Sequence, residues 1–145
     1  PLHLKSQASD RQTYLKRPDL GRKLDAASGQ MLTRFVKSTA SEKEATDLCI
    51  VVADGLSATA INRHALPVVS GLLDALRVLG WSVAPLCLVE QGREVVGDEI
   101  GYAFGAELLL VLIGERPGLS SPDSLGAYLT YRPRPGLTDE SRNCI

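Results

Sequence analysis

Uninterrupted apolar runs alternate with apolar stripes at helical spacing through most of this chain. Leu48–Ala53 and Leu108–Ile113 are continuous runs, and Ser82–Val89 reads as another strand. Such runs are buried on both faces, as central parallel strands are. Before the first run, Leu20, Leu24, Ala27, Met31 and Phe35 recur at helical spacing and predict a helix over 18–37, weakened at Gly29. Pro18 suits its first turn, where the missing N–H is unpaired anyway. After the first run, Ile61, Ala65, Val68, Leu72, Leu76 and Leu79 predict a second helix, with Ser57 as N-cap and Gly80 as its stop. Pro67 falls inside that pattern and predicts a kink or split near His64–Ala65, because it removes an amide donor. Val96, Ile100 and Phe104 form a short helical stripe ended by Gly105. A last strand is expected at about 126–132, before the Arg132–Pro133–Arg134–Pro135–Gly136 segment that cannot continue a ladder.

Strands that alternate with helices require crossovers of one hand and a mainly parallel sheet covered on both sides. The expected fold is therefore α/β, a Rossmann-like three-layer sandwich. Residues 1–17 are read as a lead segment in which Leu2–Lys5 makes a short edge strand, and residues 18–145 as the α/β domain. At 145 residues and 44% hydrophobic content, the chain is sized for one core.

Charge narrows the function classes. Sixteen basic and seventeen acidic residues are interspersed, without the basic cluster of a nucleic-acid footprint. No apolar stretch approaches a membrane span, and no signal pattern opens the chain. Cys49, Cys87 and Cys144 are odd in number and far apart, with only His3 and His64 as companions, which points to a reducing cytoplasmic compartment and reduced thiols without metal. Cys49 and Cys87 sit in apolar runs as small core residues, and Cys144 lies beyond the last expected strand.

In a parallel sheet the ends of successive strands share one edge, and open α/β sheets bind ligands there. Asp54, Gly92–Arg93 and Glu115–Arg116 meet at that edge, beside the polar loop that runs from Ile113 to Leu125. Asp54–Gly55–Leu56–Ser57 offers amides at a helix start, yet it lacks the glycine patterns that cradle nucleotide phosphates. Strand-end polar residues also serve as helix caps and ion-pair partners. Ser57, Ser120, Ser121 and Ser124 have only His64 and His3 as candidate bases, so no nucleophilic set emerges. A freestanding small-molecule enzyme using the Asp54/Glu115 crevice is one reading of this pattern.

The other reading comes from five motifs taken in order: Tyr14–Leu15–Lys16–Arg17–Pro18–Asp19–Leu20–Gly21–Arg22, Asp54–Gly55–Leu56–Ser57, Gly92–Arg93 with Asp98–Glu99–Ile100–Gly101, Gly114–Glu115–Arg116–Pro117–Gly118–Leu119, and Arg142–Asn143–Cys144–Ile145. Together they resemble the small (light) subunit of adenosylcobalamin-dependent ethanolamine ammonia-lyase, over essentially the whole chain. Family members extend further at both ends, so the chain resembles a core fragment. The resemblance implies conversion of ethanolamine to acetaldehyde and ammonia, with the reacting residues in a large barrel subunit and this chain covering the cofactor as a non-catalytic partner. It places cofactor contacts on Glu94, Glu115 and Cys144, with Arg93 and Arg116 as second contacts or as orienters of their loops. Glu94 departs from the family, where that position is often apolar, and a backbone contact would tolerate the change. The chain has no Asp-x-His-x-x-Gly pattern, which agrees with a cobalamin that keeps its own base on cobalt. The resemblance adds a bacterial microcompartment as the alternative location.

Overall fold

The computed structural model describes residues 1–39, 45–56, 60–115 and 124–145. Strand β1 (Leu2–Lys5) leads into helices α1 (Arg11–Lys16), α2 (Pro18–Gly21) and α3 (Ala26–Thr39). Strand β2 (Leu48–Ala53) is followed by a π-turn (Ile61–Ala65) that runs into α4 (Leu66–Leu79). Then come β3 (Cys87–Glu90), α5 (Val96–Ala103), β4 (Leu108–Glu115), β5 (Ser124–Tyr131) and β6 (Arg142–Cys144). One sheet holds all six strands in the order β1-β3-β2-β4-β5-β6. The first four are mutually parallel, whereas β5 runs antiparallel to β4 and β6 antiparallel to β5.

The central runs alternate their side chains between two cores. Cys49, Val51, Leu109, Val111 and Ile113 pack with Leu32 of α3 and with Val96 and Ile100 of α5. Ile50, Val52, Leu110 and Leu112 pack on the other face with Ala65, Val69 and Leu76. This split is why the runs are continuously apolar, and it makes the molecule a three-layer α/β sandwich with a mainly parallel sheet. Helix α5 lies very close to β4, because a Cβ on Gly97 would stand 2.6 Å from Val111 Cγ2.

Three expectations need correction. The helix over 18–37 is two helices, since the chain turns at Arg22–Asp25, where Ser6 bridges Leu24 and the Asp25 carboxylate accepts the Ser28 N–H at 2.7 Å. That restart rotates the stripe, so α3 buries Ser28 and Leu32 while Met31 is 45% exposed. The expected break near His64–Ala65 takes the form of the π-turn, with Pro67 in the first turn of α4. Its wider turn also shifts phase, burying Val69 in place of Val68. Strand β3 begins only at Cys87, with Val83 making an isolated bridge to Leu48. The short edge strand expected at Leu2–Lys5 is present and pairs with β3, and Tyr14 of α1 is 1% exposed. Gly80 stops α4 in the left-handed region, as its position predicts.

Candidate functional site

The carboxyl ends of the parallel strands do share one edge. The connection after β2 leads to the α4 layer and the one after β3 to the α5 layer, so a crevice opens between them. The protein ties this crevice with its own groups. The Gly92 N–H donates to the Asp54 carboxylate at 3.2 Å, and the Leu56 N–H donates to the Gly114 carbonyl at 2.7 Å. Arg11 donates to the Gly55 carbonyl. Asp54 therefore works as a loop tie between β2 and β3. Ser57, Arg116, Ser120 and Ser121 lie outside the described residues.

Arg93 is committed to the fold as well. Its backbone N–H donates to the Gly21 carbonyl at 2.9 Å and its guanidinium to the Tyr14 carbonyl at 3.1 Å. The guanidinium also stacks 4.5 Å from the Tyr14 ring centre, and Arg11 stacks on the same ring at 5.0 Å. Burial raises the Tyr14 phenol above its usual range, and Arg93 partly offsets that rise. Arg93 thus orients the loop that carries Glu94.

Glu115 ends β4 on the α5 side, where its carboxylate accepts the Tyr128 hydroxyl at 2.9 Å. A side chain at Gly126, two residues before Tyr128, would collide with that carboxylate, so glycine there leaves Glu115 its place. Tyr128 stands opposite Cys144 across the β5–β6 ladder. Burial first, then the hydrogen bond to Glu115 and that carboxylate's charge, push the Tyr128 phenol well above its usual range. Two of the residues singled out from the resemblance, Glu115 by its hydrogen bond and Cys144 by strand register, thus meet at one phenol. Tyr128 itself carried no motif in the sequence; its signal is the partly buried polar tip on a strand face beside the Gly114–Glu115 loop.

Cys144 lies in a sixth strand rather than beyond the last one, and it is exposed. Three residues are too few for any periodicity, so β6 is invisible to pattern reading. The Glu94 carbonyl accepts the Gly97 N–H at 3.2 Å, which fixes its backbone at the start of α5. Glu115, Tyr128 and Cys144 form an open wall across β4, β5 and β6, with a carboxylate, a hydroxyl and a thiol. A cleft of about 450 Å³ nearby is lined by Leu24, Val95, Asp98, Glu99, Pro135 and Gly136. The wall residues do not line it.

The model of the ethanolamine ammonia-lyase light-chain family matches residues 1–145. The chain belongs to that family. The ethanolamine ammonia-lyase small subunit of Ralstonia nicotianae is 57% identical over 144 residues, covering 99% of this chain and 52% of that relative. Those of Azotobacter vinelandii and Pseudomonas fluorescens are 58% and 56% identical over the same length and the same shares. The chain spans about half the length of these light-chain relatives. As far as they fall on described residues, the five motifs lie on α1 and α2, on the turns after β2 and β3, within α5, at the end of β4 and on β6.

Proposed function

We propose that this chain is the part of an ethanolamine ammonia-lyase small subunit that covers adenosylcobalamin at the junction with the large catalytic subunit, through Glu94, Glu115 and Cys144. The observation that carries the reading is that Glu115, by a hydrogen bond, and Cys144, by strand register, both meet Tyr128 beside the strand end where α/β sheets receive ligands. The donor set fits the group. A corrin rim offers amide N–H groups, for which a carboxylate or backbone carbonyl is the natural acceptor, and an open wall suits a wide, flat ligand. Bound adenosylcobalamin supplies the radical by homolysis of its cobalt–carbon bond. The chain's own groups hydrogen-bond, orient and exclude water. Tyr128 holds one oxygen of the Glu115 carboxylate and so orients the group. The compartment is cytoplasmic or the lumen of a bacterial microcompartment. Among the described residues no helix is long and apolar enough to cross a membrane.

The test is Glu115→Ala in the assembled enzyme. Losing one charge-assisted hydrogen bond at a partly buried site weakens adenosylcobalamin binding by about ten- to a hundredfold, with ethanolamine affinity changed less. Normal cofactor affinity with lost ethanolamine affinity would move Glu115 to the substrate site and overturn the reading. The small subunit alone is expected to show no ammonia-lyase activity, and turnover without the large subunit would favour the freestanding enzyme.

A further inference from the structure

Strand β6 pairs with β5 through Arg142, Asn143 and Cys144, of which Asn143 and Cys144 are exposed. Its inward side chain is Arg142, 3% exposed, which donates to the Asp98 carboxylate of α5, itself 2% exposed. The other Arg142 nitrogen donates to the Thr138 carbonyl at 2.7 Å and reaches the Asp139 carboxylate at 3.4 Å, closing the turn that feeds β6. Two of the five sequence motifs, one on α5 and one on β6, are therefore joined by a single buried ion pair.

That pair is a poor device for stability. Among the described residues, Asp98 Oδ1, Arg142 Nε and the hydroxyl of Thr130, the register partner of Arg142, find no hydrogen-bond partner. Buried pairs with unsatisfied atoms seldom outperform apolar residues of the same volume, and their best-attested use is to fix register. Register is what matters at β6. A slip of one residue turns Cys144 to the other face of the sheet, away from Tyr128.

We propose that the Asp98–Arg142 pair is a register pin that holds Cys144 against Tyr128 in the cofactor-facing wall, which makes Asp98 and Arg142 positioning residues. The proposal rests on the reading of Glu115 and Cys144 as cofactor contacts. Specificity of placement is its function, and the cofactor's affinity is its readout.

The experiment uses the full-length small subunit assembled with its large subunit, and compares wild type with Arg142→Lys, Glu115→Ala and the double variant Asp98→Leu/Arg142→Met. The double variant removes both charges together and leaves no buried charge unpaired. Assembly is followed by size-exclusion chromatography, stability by thermal midpoint, and cofactor affinity by the absorbance change on titrating adenosylcobalamin. The double variant is expected to assemble, to melt no lower than wild type, to keep its KM for ethanolamine, and to bind adenosylcobalamin about tenfold more weakly. Arg142→Lys, which keeps the charge without the planar fork, should fall between them. Wild-type affinity in the double variant overturns the pin. So does failed assembly, or a loss of affinity that tracks a lower melting temperature, since either makes the pair a folding element. Normal affinity in Glu115→Ala overturns the underlying reading of the wall, whereas weakened Glu115→Ala beside an unaffected double variant overturns the pin alone.

Discussion

At the residue scale, the chemistry of single groups follows from their burial. Cys49 and Cys87 are free and fully buried in one core, and their mutual hydrogen bond and burial hold the Cys49 thiol well above its usual range. Cys144 is free and exposed. A thiol reagent should therefore label the native protein at Cys144 and reach Cys49 and Cys87 only after denaturation, a result that mass spectrometry of the labelled peptides would check. Asp98 gives a pH dependence of definite sign. Burial raises its carboxyl to about 6 from the ordinary 3.8, against the opposing pull of Arg142 and with Glu94 and Asp139 adding to the rise. Between those values the folded state keeps a proton that the unfolded chain has lost, so this group's contribution to stability falls as pH rises through that window. Denaturant midpoints of Asp98→Asn measured across the window should lack that downward component, and a slope identical to wild type would show that Asp98 does not titrate there.

At the scale of elements, close approach separates glycines that look alike in sequence. Gly97 and Gly71 both lie inside helices, but a Cβ at Gly97 meets Val111 at 2.6 Å while one at Gly71 meets open space. Gly97→Ala should destabilise by about 1–3 kcal/mol through overpacking against β4. Gly71→Ala should stabilise by about 0.5–1 kcal/mol by helix propensity. Urea unfolding midpoints moving in opposite directions would bear this out. The same scale shows what a sequence can carry. The runs at 48–53 and 108–113 were legible because strands buried on two faces must be apolar throughout, and the stops at Gly80 and Gly105 because both take positive φ. Short α1 was illegible, since its one buried residue, Tyr14, has no periodic companion. The phase of α3 and α4 was misjudged wherever a local irregularity, the turn at Arg22–Asp25 or the π-turn, reset the count. Glu115 could be found from its strand end, Tyr128 lies on an expected strand without a motif of its own, and the Asp98–Arg142 pair depends on a sixth strand that only tertiary pairing reveals.

At the scale of the whole molecule, stability should be graded from the middle of the sheet outward. Strands β2 and β4 are paired on both sides and nearly sealed from solvent, while β1 and β6 form the edges. Native-state hydrogen exchange should be slowest at Leu48–Ala53 and Leu108–Ile113 and fastest at β6. Fast exchange across 108–113 would contradict the burial of that strand. The strand order also has a consequence for how the protein is made. Leu2 of β1 pairs with Cys87 of β3, so β1 leaves the ribosome long before the strand it pairs with among the described residues. At typical translation rates that interval is roughly 4–17 seconds, during which Leu2 and Leu4 lack their β3 partners. Slowing translation before residue 87 should therefore lower the yield of native protein more than slowing it afterwards.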